Sequence, residues 1–316
     1  MVNGIIERQD AEENLLKLAA MRNLYSNAEK WIIVEIVVGG LIIGGLYFLL
    51  PVFSPNYLSI KPYIGFIAPL SGLIFTIIDI WFINPQINII KDKAAKIQED
   101  FDTNVLSLSW NDIKIDPVDN EEIILNSKKY KKKEPDFKSL KTWYDEPINE
   151  PPISVARIIA QRTNCRWDNT LRESFILGLK LVSLGIFTLL IIITIYESVC
   201  SKELVLGVTT LIYGLFSFLY YYIFVIRQIK DNKHSNAKIK RIKLKIENIW
   251  KNIEKIDNSE LDILSRQIQD EIYDHRKSTL IVFDWFYNLK KEEQQSSSNF
   301  SAQKMVDEYF SKIKDN

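Results

Sequence analysis

The stretch FILGLKLVSLGIFTLLIIITIY, residues 175–196, decides the fold. It is about 20 residues of almost unbroken apolar character, enough for a helix to cross a hydrocarbon core of roughly 30 Å. Three other blocks match it: WIIVEIVVGGLIIGGLYFLL at 31–50, YIGFIAPLSGLIFTIIDIWFI at 63–83 and LVLGVTTLIYGLFSFLYYYIFVI at 204–226. The four blocks fall into two closely spaced pairs. That arrangement predicts two transmembrane hairpins rather than the buried core helices of a soluble protein. The chain reads as a mostly α integral membrane protein with four spans, helical cytoplasmic extensions and a small mixed cytoplasmic region.

The averages hide this organisation. Of 316 residues 25% are charged and the formal net charge is zero, but the charges lie almost entirely outside the four blocks. A neutral total gives no electrostatic argument for binding nucleic acid. The short turns within the hairpins carry only Lys61 and Lys202, whereas nearly all other Lys and Arg flank them. By the positive-inside rule both termini and the central segment are cytoplasmic, in a multi-pass membrane protein. The expected divisions are an N-terminal amphipathic helix (1–30), a first hairpin (31–84) and a first cytoplasmic region (85–172). A second hairpin (173–227) and a helical cytoplasmic tail (228–316) complete the chain. A hydrophilic, partly acidic stretch precedes the first block, so no signal peptide is expected.

Outside the spans, two apolar stripes alternate three–four spacings: Ile87, Ile90, Ala94, Ile97 and Phe101, then Ile239, Ile242, Ile246, Ile249, Ile253 and Ile256. Such stripes are the seams of packed helices. The N-terminal arm reads as a helix with Ala11, Leu15, Leu18 and Tyr25 near one face. NVLSLSW (104–110) alternates as a short strand does, and KKYKKK (128–133) reads as a solvated loop or a contact for anionic headgroups. Ser259 is the expected N-cap of a helix over 259–278, and the tail from Lys290, with QQSSS, reads as mobile, although AQKMVDEYFSKI (302–313) can form a last helix.

Polar groups inside a bilayer are costly, at least about 2.5–3.5 kcal/mol near a helix centre. Glu35, Asp79 and Lys180 sit within the blocks, each about 6–10 Å from the cytoplasmic end. They read either as snorkelling groups or as a charged inner mouth of a pore in which Lys180 pairs with an acid. Gly40 and Gly44 have the spacing for close helix packing, within or between subunits of a homo-oligomer.

The chain holds two cysteines and two histidines, and a bilayer separates Cys165 from Cys200, so neither a disulfide nor a zinc site is expected. With no phosphate-binding glycine loop, nucleophile elbow or metalloprotease motif, the reading is a non-enzyme without cofactor. The 157–172 stretch instead carries binding chemistry. Arg162, Arg166 and Arg172 suit phosphates, Trp167 a base face, Asn164 and Asp168 base edges, and Trp110, Trp143 and Tyr144 add aromatic surface nearby. The plainer reading is that Asp168 and Arg172 form a helix-surface pair and the arginines meet lipid phosphate.

RQDAEENLLKLAAMRNLY (8–25), WYDEP (143–147), AQRTNCRWDNTLR (160–172), RQIQDEIYDHR (266–276) and DWFY (284–287) occur in that order. Together with two hairpins of spans, they resemble the SMODS-associated four-transmembrane family of pore-forming effectors, over nearly the whole chain. The resemblance implies a role in bacterial anti-phage systems of the CBASS type, coupled to a partner nucleotide cyclase or polymerase. It further implies a cytoplasmic part that responds to a cyclic oligonucleotide, spans that form pores in or disrupt the lipid bilayer, and abortive infection. A ligand-gated channel or transporter for an ordinary solute, and a non-conducting membrane scaffold, are the alternative readings.

Overall fold

The computed structural model describes residues 2–38, 67, 70–201, 208 and 219–314. The described residues are helical, with no strand among them. In chain order the helices are α1 (Ile5–Gln9), α2 (Glu12–Ile36), α3 (Leu70–Val105), α4 (Asn120–Lys131), α5 (Ile153–Ser201), α6 (Leu219–Lys251), α7 (Asn258–Ser278) and α8 (Asp284–Lys314). The chain divides into two compact units: Met1–Asn27, Ile89–Glu173 and Lys233–Asn316 form the first, Ala28–Asn88 and Ser174–Asn232 the second.

The first unit is built on the two alternating stripes. Ala94, Ile97 and Phe101 of α3 and Ile239, Ile242 and Ile246 of α6 share one buried core. Leu18 and Met21 of α2, Ile158 and Ile159 of α5, and Met305 and Val306 of α8 complete it. Each buried aliphatic or aromatic side chain contributes about 1.5–3 kcal/mol of transfer free energy.

Four local expectations are corrected by tertiary or capping chemistry. The 104–110 segment is a helix end, not a strand. Leu106 N–H donates to Asp102 C=O (2.9 Å) and Leu108 N–H to Thr103 C=O (2.9 Å), while Ser107 takes a left-handed φ of 52°. Those donors close the last turn of α3 and are not free for a ladder. Arg157 then locks the exposed carbonyls, donating to Leu106 C=O at 2.6 Å and to Ser107 C=O.

Lys128, Lys129 and Lys131 lie in the last turn of α4 rather than in a loop. There they face the negative end of the helix dipole, and Asp119 caps the other end by accepting from Glu121 N–H. The N-cap of α7 is Asp257, not Ser259: its carboxylate accepts from Glu260 N–H at 2.7 Å and from Ser259 Oγ at 2.8 Å. The serine run is helical within α8 because its hydroxyls have partners. Ser298 Oγ donates to Asp145 (2.5 Å), and Ser297 and Ser301 accept from Arg166 and Arg162 (2.9 Å each).

The second unit inverts the usual surface. Leu73, Ile80, Trp81 and Phe82 of α3 and Leu177, Leu181, Leu184 and Ile195 of α5 are exposed. Water disfavours such a continuous apolar exterior, whereas lipid tails accept it. Among the described residues one helix, α3, is long and apolar enough by length and composition to cross a membrane. Most of the 31–50 and 204–226 blocks, with Gly40 and Gly44, lies outside the described residues.

Inside this unit Glu35 and Asp79 are buried at 1% and 2% exposure, and the cation between them is Arg227. Its Nη2 lies 3.1 Å from Glu35 Oε1 and its Nη1 3.8 Å from Asp79 Oδ2. Asp79 also accepts from Asn84 Nδ2 at 2.8 Å and opens a π-helical turn, Asp79–Ile83. Lys180, expected as the partner of these acids, is exposed and forms no ion pair with a described residue. Arginine fits the position better, because its fork can serve two carboxylates at once.

Candidate ligand site

A cavity of about 400 Å³ lies within the first unit, in the size range of small-molecule sites. One wall is the 137–145 segment, whose backbone is held in an unusual shape. Phe137 and Thr142 have left-handed φ values of 51° and 55°, which is rare for a β-branched residue such as threonine. The surroundings enforce it. Asp10 Oδ1 accepts from Thr142 N–H (3.2 Å), and fully buried Gln9 accepts from Tyr144 N–H (2.7 Å). This presents Trp143 and Tyr144 to the cavity.

Beneath Tyr144 lies a buried polar network. Its hydroxyl donates to Asp102 Oδ1 at 2.7 Å, and Arg276 and Gln269 donate to the other carboxylate oxygen. Gln269 also donates to Glu99 at 2.8 Å, as does Arg266 at 2.7 Å. Burial, helped by the nearby Asp102 charge, pushes the Glu99 carboxyl up. Burial likewise pushes the Tyr144 hydroxyl well up and the Tyr25 hydroxyl up to about 12, so both rings stay neutral and donate.

The opposite wall comes from α5 and α7. Asp168 Oδ2 accepts from Arg172 Nε (2.7 Å) and lies 2.7 Å from His275 Nε2. Burial opposes ionisation of Asp168, but Arg172 and His275 together outweigh it and hold the carboxyl well below its usual range. Arg172 is braced in turn by the Leu280 carbonyl at 3.0 Å. His275 is 2% exposed and its Nδ1 has no partner among the described residues, so one ring nitrogen at the cavity wall is unclaimed.

The depressed pKa of Asp168 has a measurable consequence. Its contribution to stability is present above the unfolded carboxylate value of about 3.9 and is lost as pH falls through the lower folded value. Asp168→Asn is expected to flatten the acid limb of the melting-temperature profile of the full chain below pH ~5. An acid limb superimposable on that of the parent protein would contradict the pairing.

The cavity's charge is strongly biased. Arg22, Lys138, Lys141, Arg172, Arg276 and Lys291 line it against Asp168 and Asp284. Three of these cations have acidic neighbours: Arg172 has Asp168, Arg276 has Asp102, and Arg22 lies 3.5 Å from Asp284. Lys138 and Lys141 are exposed and form no ion pair with a described residue. Aromatic faces sit among the charges. Arg22 stands 4.4 Å over the Tyr287 ring, and Trp167 lies 6.0 Å from the same ring. Cations that can neutralise phosphates beside flat faces that can stack on bases are the chemistry a nucleotide needs.

Of the residues singled out by sequence, Asn164, Trp167, Asp168, Arg172, Trp143 and Tyr144 line this cavity. Arg166 lines a smaller adjoining cleft. Arg162 lies 3.6 Å from Glu247, donates to Ser301, and lines neither space. Trp110 packs on Ala95, Ile115 and Tyr273 and donates its indole N–H to Ile115 C=O at 3.1 Å. Sequence reasoning did not single out Arg22, Lys138, Lys141, His275, Arg276 or Tyr287 for the site. A signal existed for most of them: Arg22, His275, Arg276 and Tyr287 all fall inside the five motifs quoted above. Each of those motifs supplies at least one cavity residue.

Residues 3–305 match the family described as the SMODS-associating 4TM effector domain. The chain is also similar to a protein of Bacillus cereus (strain VD146) described as a probable CBASS effector molecule. The two are 27% identical over 308 residues, covering 92% of this chain and 94% of that one. No solved structure matches. With a family match running almost from end to end, the chain belongs to the SMODS-associating 4TM effectors, a membrane family of anti-phage defence.

Proposed function

We propose that this protein is a four-span effector of the bacterial inner membrane, that a cyclic oligonucleotide binds the cavity of the first unit, and that occupancy controls membrane permeability. A partner cyclase supplies the nucleotide, the protein acts as a homo-oligomer, and the outcome is abortive infection. The protein performs no catalysis in this reading. The observation that carries it is the convergence of five motifs, separated along the chain, on one cation-rich cavity with aromatic walls.

The route from site to membrane is covalent. α2, α3, α5 and α6 each contribute residues to both units. A ligand that binds one arrangement of the cavity more tightly than another shifts the population of the helices carrying it. The direction of the response, opening or holding shut, follows from which arrangement binds better.

The permeation end of this reading is the Glu35–Arg227–Asp79 cluster. Buried carboxylates beside one shared cation form a charged constriction, and the ion pairs hold it closed. Removing one partner of a buried pair leaves an uncompensated charge. Arg227→Ala is therefore expected to raise ligand-free dye release from proteoliposomes several-fold, and Asp79→Asn to alter conductance or ion selectivity. Unchanged leak and selectivity in both variants would remove the cluster from the mechanism.

Nucleotide binding is tested directly by calorimetric titration of the full chain in nanodiscs with a panel of cyclic oligonucleotides. At least one is expected to bind, and Trp143→Ala to weaken it about tenfold or more, as loss of a stacking face does. An ordinary-solute channel predicts no nucleotide binding and tolerated, selective flux. A scaffold predicts no conductance under any nucleotide.

A further inference from the structure

We infer that the small cleft behind Trp167 is a second subsite, which receives a second nucleotide unit of the ligand bound in the main cavity. The inference rests on the nucleotide reading of that cavity. The cleft is about 90 Å³ and shares Thr163, Trp167 and Ser298 with the larger space, so one ligand can occupy both. Trp167 lines both, which places one stacking surface between two binding compartments.

The cleft's polar groups are poised rather than satisfied. Arg166 Nη2 donates to Ser297 Oγ at 2.9 Å, and Arg166 forms no ion pair with a described residue. Ser301 Oγ accepts from Arg162 at 2.9 Å. Both serine oxygens therefore take a guanidinium hydrogen and keep their own O–H to give. The carboxylate lining the cleft, Glu293, lies 3.0 Å from Lys290 Nζ. One guanidinium with two free hydroxyl donors is a phosphodiester-binding set.

Gln294 supplies the second, independent observation. Its side chain is 7% exposed, lines the cleft, and has neither Oε1 nor Nε2 bonded to a partner among the described residues. A buried amide left wholly unpaired is costly, so folds rarely retain one without use. An amide offers one donor face and one acceptor face side by side, which pairs with the edge of a nucleobase. The ligand class is thus a cyclic dinucleotide or larger, with a phosphate at Arg166 and a base edge at Gln294.

The test compares full-length protein in nanodiscs with Arg166→Ala, Gln294→Met and Trp143→Ala. The probes are the cyclic dinucleotides of adenosine, guanosine and uridine in all pairings, together with cyclic triadenylate. The binding probe of the parent protein is expected to lose roughly tenfold or more in affinity with Arg166→Ala and with Gln294→Met. Gln294→Met is also expected to leave the ligand-free melting temperature unchanged or raised, since it removes unpaired buried atoms. A purely structural glutamine predicts the reverse: a lower melting temperature and unchanged affinity. If Trp143→Ala weakens binding and the two cleft variants do not, the subsite is wrong and the main cavity stands. If the parent protein binds none of the probes, both fall.

Discussion

Asp102→Ala is expected to cost the first unit about 3–5 kcal/mol, the range for breaking a buried ion pair from one side. Asp102 is fully buried and accepts from Tyr144, Gln269 and Arg276. Removing it strands the Arg276 guanidinium and leaves the Tyr144 hydroxyl with only Asn164 Nδ2, at 3.5 Å. Those two side chains are cavity walls, so the variant should lose ligand binding as well as stability. For a unit of this size the melting temperature falls by on the order of 10 °C. Asp102→Asn keeps an acceptor for Tyr144 but not the charge, and should fall between the alanine variant and the parent. Thermal unfolding of the full chain checks this, and a loss below about 1 kcal/mol for Asp102→Ala would mean that the network does not hold the cavity together.

Lys138→Ala combined with Lys141→Ala has the second large effect, and it is one of function without stability. Both side chains are exposed, line the cavity and form no ion pair with a described residue. Surface substitutions of this kind usually stay within about 0.5 kcal/mol of the parent stability. Hydrogen bonds to charged groups contribute about 1.5–3 kcal/mol each, so two lost phosphate contacts predict an affinity loss of around a hundredfold. Titration of the nucleotide that binds the parent protein measures the loss. Undiminished affinity would place the phosphates elsewhere in the cavity.

Much of the core was legible because burial imposes a helical period. The Ala94–Phe101 and Ile239–Ile246 stripes were readable from spacing alone, and they meet in one core. Local polar composition misled where tertiary partners decide the outcome. The serine run of α8 looks mobile in isolation, but Arg166 and Asp145 engage the hydroxyls of Ser297 and Ser298, and Arg162 that of Ser301 one turn on. KKYKKK looks like a loop until the dipole of α4 is considered.

The cavity was half legible for a different reason. Asn164, Trp167, Asp168 and Arg172 lie on one helix, so their spacing announces a shared face. Arg22, Lys138 and the pair His275 and Tyr287 reach the same space from three segments more than a hundred residues apart and have no local period to reveal them. Arg227 was missed because it falls one residue beyond the apolar block ending at Ile226, where an arginine reads as a flanking charge. Its partners, Glu35 and Asp79, were readable because a carboxylate within an apolar block is conspicuous.

Control of membrane permeability by a cyclic oligonucleotide in this cavity is measured by dye leakage from liposomes containing the purified full chain. At least one cyclic oligonucleotide of the panel is expected to change the leakage rate, and the Lys138→Ala, Lys141→Ala double variant to abolish the change at the same concentration. Leakage that ignores every cyclic oligonucleotide, or a response undiminished in the double variant, would contradict that control.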